Sequence, residues 1–153
     1  MWLNLIRMQF CVTIVLILIA LSGCLQVNSL NHQPAMASAK AQHFADVAFV
    51  ERNLPAAYDL LSQAMRNQLS FDQLTDLISK MHPSRYPSSV QATEYEPLMG
   101  QRGMNIYLVG KNGSEQFYYR FFMEGTKETD YTVGGMWRGE GAYPPSNMKK
   151  SLN

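Results

Sequence analysis

The sequence predicts a single α+β domain, with three N-terminal helices packed on a bent four-stranded antiparallel sheet. In residues 37–81, apolar side chains recur at the three- and four-residue spacing of one helix face. After Pro87, apolar and polar residues alternate, as on a strand with one buried face. Asn112-Gly113 separates two alternating runs, which is typical of a β-hairpin. The helices are therefore expected to cover one face of the sheet.

The first two predicted helices are separated at Asn53. The first covers residues 37–52, and Phe44 lies on its apolar stripe. Asn53 tolerates the left-handed conformation that ends many helices. Pro55 then starts the second helix, because proline is accepted in the first turn. Tyr58 is expected on the inner side of this second helix.

The third predicted helix begins after Ser70. Gln73 follows three residues later, so the two side chains can satisfy each other's free backbone N–H groups in a capping box. The helix is expected to stop at His82-Pro83, because the residue before a proline is pushed out of the helical region.

Four strands are predicted after the helices. They cover residues 90–99, 104–109, 115–124 and 129–138. Gly134-Gly135 in the last strand indicates a bulge that bends the sheet.

The chain begins with the pattern of an export signal. Arg7 precedes an apolar run at residues 8–20, and Leu21-Ser22-Gly23-Cys24 follows it. These four residues resemble the lipobox of bacterial lipoproteins. The resemblance implies cleavage before Cys24 and a diacylglycerol on its sulfur. The alternative is an uncleaved anchor, although the run is shorter than the about 20 apolar residues that a spanning helix needs.

The lipobox divides the chain into four parts. Residues 1–23 are the predicted signal peptide, 24–36 a polar tether, 37–138 the folded domain and 139–153 an irregular C-terminal tail. Acyl chains would hold the protein on a bilayer, at about 0.8 kcal/mol for each buried CH₂. Leu25, and not aspartate, follows the cysteine. By analogy with enteric lipoprotein sorting, this favours the outer membrane, facing the periplasm.

Composition limits the function of the mature chain. Removing 23 of the 153 residues leaves 130, which is enough for one domain. Arg7 is one of 13 basic residues, so 12 remain against 12 acidic residues. A neutral chain without a basic run argues against nucleic acid as a partner. Cys11 lies in the signal and Cys24 carries lipid, so no disulfide is expected.

Parts of the helical region resemble the NTF2-like, cystatin-like superfamily. The matching segments are 44–49, Asn53-Leu54-Pro55-Ala56-Ala57-Tyr58, Leu60-Leu61-Ser62 and 70–74. The resemblance covers residues 37–138. It implies a bent sheet wrapped around a long N-terminal helix, which makes a cone with an open mouth. It also implies that such domains often dimerise through the sheet face. A fold resemblance does not transmit an activity.

The search for catalytic chemistry gives one weak candidate set. The resemblance implies that enzymatic members place acids or acid pairs inside the cone. The candidates here are His43, Asp46 and Glu51 on the first helix, Tyr58 on the second, and Arg120 or Trp137 on the sheet. A solvated position for His43 and Asp46 is the favoured interpretation, since the apolar stripe runs through Phe44. No catalytic constellation, metal site or cofactor is predicted, because the three histidines are scattered and no ligand motif occurs.

Aromatic residues favour binding over catalysis. Four of them are candidates for an apolar ligand site in the cone: Phe44, Tyr58, Tyr119 and Trp137. On the opposite sheet face, Tyr118, Arg120 and Phe122 are candidates for a protein interface, because these residue types are enriched at interfaces.

Three functions remain open from the sequence. The favoured one is a lipid-anchored, non-catalytic binding or accessory module of the cell envelope. It would hold a small apolar ligand in the cone, or a homodimer or envelope protein partner on the sheet face. The alternatives are a small enzyme of isomerase or cyclase type and a purely structural envelope protein.

Overall fold

The computed structural model describes residues 31–152, so the predicted signal peptide and Cys24 lie outside the described residues. Within residues 31–152, four α-helices precede the sheet, and a π-helical turn, Asp46–Val50, continues the first of them. The helices are α1 (Pro34–Ala45), α2 (Leu54–Asp59), α3 (Gln63–Gln68) and α4 (Phe71–Met81).

One antiparallel sheet of five strands follows in the described part of the chain. Its spatial order is β4-β3-β2-β1-β5, so β3 lies between β2 and β4. The α+β class is therefore confirmed, with one more helix and one more strand than predicted. The strands are β1 (Ser89–Pro97), β2 (Gly103–Asn112), β3 (Glu115–Thr126), β4 (Asp130–Gly139) and β5 (Lys150–Ser151).

The first helix differs from the prediction at both ends. It begins at Pro34, so residues 34–36 of the predicted tether are helical, because proline is well suited to the first turn. At the other end Arg52, with φ of 58°, takes the left-handed conformation that was expected of Asn53. Asn53 instead caps α2, where its side chain accepts a hydrogen bond from the Ala56 N–H at 3.3 Å.

The second predicted helix is divided into α2 and α3. Leu61, between them, forms a parallel β-bridge with Val133 of β4, and the Ser62 N–H donates to the Val133 carbonyl at 2.8 Å. The Ser62 side chain then caps α3 by accepting from the Met65 N–H at 3.1 Å. These long-range bonds break the helix that the local pattern predicted.

The third predicted helix, α4, is confirmed together with its capping box. The Gln73 N–H donates to the Ser70 hydroxyl at 3.3 Å, and the Ser70 N–H donates to the Gln73 side chain at 2.8 Å. The helix ends at Met81, just before His82.

The tail after β4 is more ordered than predicted. Lys150 and Ser151 form β5, which pairs with Tyr95 and Glu94 at the free edge of β1. The predicted bulge at Gly134 is confirmed, since the pairing of β3 with β4 shifts there by one residue.

The core lies between α1 and the inner face of the sheet. Phe44 of α1 packs edge-on against Phe121 of β3, with ring centres 5.5 Å apart. Phe49 of the π-helical turn lies 4.9 Å from the ring of Tyr119. All four rings are fully buried. Burial of a side chain of this size stabilises a fold by roughly 2–3 kcal/mol.

Candidate functional site

Two of the predicted ligand residues belong to the packed core. Phe44 and Tyr119 are fully buried, and the rings of Phe49 and Phe121 occupy the space beside them. The inner face of the sheet is therefore filled by aromatic packing at the place where the sequence predicted a ligand. Tyr58 lies elsewhere, on α2, and its hydroxyl donates to the Leu69 carbonyl at 3.1 Å.

Trp137 lies on the opposite face of the sheet from the one expected. It is 46% exposed, and its Cα pairs with that of Arg120. The reason is the bulge, since the extra residue Gly134 reverses the alternation of side chains along β4. Val133 before the bulge and Met136 after it are consequently buried. Trp137, next to Met136, points away from the helices.

We call the sheet surface that faces away from the helices the outer face. Tyr118, Arg120, Phe122 and Glu124 of β3 lie on it, each half-buried, because they alternate with buried residues of the core. The prediction that Tyr118, Arg120 and Phe122 share one face is confirmed. Trp137 joins them from β4.

Glycines let the rings of the outer face lie against the sheet. A Cβ on Gly134 would come within 2.9 Å of the Phe122 ring, and a Cβ on Gly103 would also meet that ring. A Cβ on Gly135 would come within 2.7 Å of the Trp137 indole. The rings of Phe122 and Trp137 therefore lie close against the backbone of the sheet.

Arg120 lies at the centre of this surface and has no acidic partner within residues 31–152. Its guanidinium carbon is 4.6 Å from the centre of the Trp137 ring and 5.8 Å from that of Tyr143. Within residues 31–152 its side chain makes no hydrogen bond or ion pair, and its Nε is buried without a partner. A buried donor left unsatisfied costs roughly 1–3 kcal/mol.

The C-terminal segment, residues 140–152, covers the neighbouring part of the outer face. Lys149 has a side chain only 5% exposed, and its Nζ lies 4.0 Å from the centre of the Tyr107 ring. The same Nζ is 3.6 Å from the carboxylate of Glu94 and donates to the Pro144 carbonyl at 2.8 Å. The segment thus closes over β1 and β2, and its Tyr143 reaches β4, where the Tyr143 hydroxyl donates to the Trp137 carbonyl at 3.4 Å.

A hydrogen-bonded acid lies under this segment. The Tyr107 hydroxyl donates to Glu96 at 2.7 Å, and the Asn105 amide donates to the same oxygen at 3.1 Å. The Tyr107 bond is the main cause that holds the pKa of Glu96 below its usual value. Burial, followed by the bond to Glu96, raises the pKa of Tyr107. Glu96 is therefore a structural acid that is already paired.

His82 forms a polar pair inside the core that the sequence did not reveal. The ring is 3% exposed, its Nδ1 lies 3.0 Å from the Ile78 carbonyl, and its Nε2 lies 2.7 Å from the Tyr119 hydroxyl. A carbonyl can only accept, so Nδ1 carries the proton and Nε2 accepts from Tyr119. Burial lowers the pKa of His82 to about 4, which keeps the imidazole neutral.

The residues proposed for catalysis are not gathered in one place. His43 is exposed, and Asp46 lies beside it in a shallow groove of about 440 Å³ between α1 and β1. Burial, followed by the charge of Glu51, raises the pKa of Asp46. Tyr58 does not line this groove, and its ring packs against Phe71 on α4. Within the described residues, no group of three His, Cys, Asp or Glu side chains is placed to hold a metal ion.

Residues 31–152 contain no helix of the length and apolar character needed to cross a bilayer. The chain matched no family model, no curated protein and no solved structure. Its candidate site is therefore defined by the contacts of its own residues, among which the unpaired guanidinium of Arg120 is the most informative.

Proposed function

We propose that this chain is a lipid-anchored protein of the cell envelope that acts without catalysis as a binding module. Its lipid is carried by Cys24, and its folded domain faces the periplasm from the outer membrane. The module binds a protein partner, either a second copy or another envelope protein, on the outer face of the sheet.

The outer face carries this proposal. Half-buried Tyr118, Phe122 and Arg120 lie together with exposed Trp137, and the guanidinium among them has no acidic partner in the described chain. Trp, Tyr and Arg are the residue types that dominate binding energy at protein interfaces. A sheet face that only meets water has no need of this combination, and a partner would bury the rings.

An NTF2-like cone remains our proposal for the finer architecture. It is supported by the order of helices before strands, by the position of α1 against the inner face and by the bulge in β4. The aromatic packing around Phe44 and Tyr119 favours the outer face over the cone interior as the binding site.

An enzyme of isomerase or cyclase type is the second candidate. One observation favours it, the raised pKa of Asp46 in the groove beside His43. It receives less support than binding, because His43 is exposed and Tyr58 lies outside that groove.

Substitution of Phe122 tests the binding proposal. We expect Phe122→Glu to abolish the cross-linked species that the full-length protein forms in intact cells, because a carboxylate would be desolvated at the centre of the interface. Met99→Glu is the control, since Met99 is 84% exposed in the turn between β1 and β2. Both variants must keep the thermal transition of the parent. An unchanged cross-linking pattern in Phe122→Glu would rule out the outer face as the binding surface.

A further inference from the structure

A cationic pocket of about 520 Å³ lies where the turn between α1 and α2, the loop between α4 and β1, and the β2–β3 hairpin meet. No acidic residue of 31–152 lines it, and none of the outer-face residues does. Six of the side chains that line the pocket carry the argument: Arg52, Ser84, Arg85, Tyr86, Ser88 and Asn112. The acids Glu51 and Glu115 are neighbours of Arg52 in the chain and of Asn112 across the hairpin, but they lie outside the lining.

The two guanidinium groups of this pocket have no anionic partner in the described part of the chain. Within residues 31–152, neither Arg52 nor Arg85 makes an ion pair or a side-chain hydrogen bond. The guanidinium carbon of Arg52 lies 5.3 Å from the centre of the Tyr86 ring. A guanidinium group carries five N–H donors and stays charged at neutral pH. The pocket therefore presents two positive charges and a set of donors that the described residues do not use.

The backbone holds Arg52 at the pocket in an unusual conformation. Its φ of 58° is left-handed, which side chains other than asparagine and aspartate rarely adopt. The Glu51 N–H before it donates to the Asp46 carbonyl at 2.9 Å. The Asn53 N–H after it donates to the Val47 carbonyl at 2.9 Å. An arginine fixed in this way, next to an asparagine that would accept the conformation more readily, indicates a use for its side chain.

The loop that carries Arg85 is anchored to the end of β2. The Ser88 N–H and hydroxyl both donate to the Lys111 carbonyl, at 2.8 and 2.9 Å. The Asn112 amide donates to the Tyr86 carbonyl at 2.9 Å. The backbone beneath the pocket is thus formed by the fold itself, which lowers the cost of ordering it around a ligand.

We propose that this pocket binds a phosphate monoester, with Arg52 and Arg85 on the phosphate oxygens and the Ser84 hydroxyl as a further donor. A phosphate monoester carries about two negative charges at pH 7, which match two guanidinium groups, whereas a carboxylate carries one. Its terminal oxygens accept the paired N–H donors of an arginine fork. The pocket volume is in the range of small-molecule sites, so it also has room for the organic group of the ester.

The phosphate monoester can belong to a soluble metabolite or to a lipid headgroup, and two probes separate these sources. Full-length protein in a neutral detergent is titrated by calorimetry with glycerol phosphate and with dihexanoyl phosphatidic acid, which is the same monoester with two short acyl chains. We expect both probes to bind. Equal affinities would assign a soluble ester, and tighter binding of the phosphatidic acid would assign a lipid headgroup.

Arg52→Asn and Arg85→Gln remove one guanidinium each. Asparagine accepts the left-handed conformation, so Arg52→Asn adds no backbone strain. We expect each variant to weaken the binding of glycerol phosphate at least about tenfold, because each loses a charge-assisted fork to the phosphate. Arg102→Gln is the matched control, since Arg102 is an exposed arginine in the turn between β1 and β2 and does not line the pocket. It should leave the affinity unchanged.

Three results would overturn the inference. Absence of binding of both probes to the parent would exclude a phosphate site. Unchanged affinity in Arg52→Asn or in Arg85→Gln would exclude the two-arginine arrangement. Equal binding of glycerophosphocholine, a phosphate diester, would exclude a monoester as the ligand class. Each variant must keep the thermal transition of the parent, and Arg52→Gln, which has the backbone demands of the parent, replaces Arg52→Asn if it does not.

This site goes beyond the proposed function and is independent of it. Phe122 does not line the pocket, so Phe122→Glu should bind glycerol phosphate as the parent does. Loss of cross-linking in Phe122→Glu with unchanged phosphate binding would support both proposals. Failure of either experiment leaves the other proposal to be decided by its own measurement.

Discussion

At the scale of single residues, His82 makes the stability of the core depend on pH. Its neutral ring is held between the Ile78 carbonyl and the Tyr119 hydroxyl, and it stacks on Tyr86 with ring centres 4.5 Å apart. A protonated ring could not accept from Tyr119. Folding therefore favours the neutral imidazole.

The sign of the pH effect follows from the lowered pKa. His82 titrates at about 4 in the folded protein and at about 6.5 in the unfolded chain, so the unfolded state binds more protons between these values. Stability from this residue is complete above about pH 6.5 and falls as the pH drops towards 4. The loss amounts to at most about 3 kcal/mol.

Urea unfolding of the parent and of His82→Gln between pH 7 and pH 4.5 measures this effect. We expect the parent to lose stability more steeply, because the variant lacks the titrating ring while the carboxylates titrate in both. Parallel pH profiles would contradict the assignment of a neutral, buried His82.

The sequence could place His82 but not describe its environment. His82-Pro83 correctly predicts the end of α4. The partner hydroxyl of Tyr119 is 37 residues away and reaches the ring only after the sheet has packed on the helix. Local patterns carry no information on such a contact.

At the scale of secondary-structure elements, Lys149 makes several of the contacts that attach the C-terminal segment to the outer face. Its ammonium group combines a ring contact with Tyr107, an ion pair with Glu94 and two backbone carbonyl contacts. Cation–π contacts of a desolvated cation are worth about 2 kcal/mol. The segment should therefore loosen when this charge is removed.

Hydrogen exchange of the Lys149→Met variant measures this attachment. We expect the Leu152 N–H, which donates to the Thr93 carbonyl at 3.0 Å, to exchange roughly tenfold to a hundredfold faster. Lys150→Met is the matched control, since Lys150 is exposed and should leave the rate nearly unchanged. Equal rates in the two variants would show that Lys149 does not hold the segment.

The sheet also shows why sequence patterns predicted one strand better than the next. The alternation along β3 is uninterrupted, so both faces of that strand were predicted correctly. In β4 the bulge at Gly134 was predicted, but it reverses the faces after it, and Trp137 was therefore placed on the wrong side. The tail was predicted to be irregular because Pro144-Pro145 masks the short pairing of β5 with β1.

At the scale of the whole molecule, the proposed lipidation at Cys24 would decide where the proposed binding face operates. We expect Cys24→Ser to lose acyl labelling and to keep its signal peptide, because the serine hydroxyl cannot form the thioether. The check is metabolic labelling with a fatty-acid analogue, together with the mass of the released chain. Normal labelling of the variant would contradict the lipoprotein assignment.

The most direct test of the binding face is native mass spectrometry of the full-length protein released from membranes in detergent. We expect the mass of two lipidated chains for the parent, or of one chain with a bound envelope protein, and a single lipidated chain for Phe122→Glu. Detection of the parent only as a single chain, as for the Phe122→Glu variant, would contradict the proposed binding face.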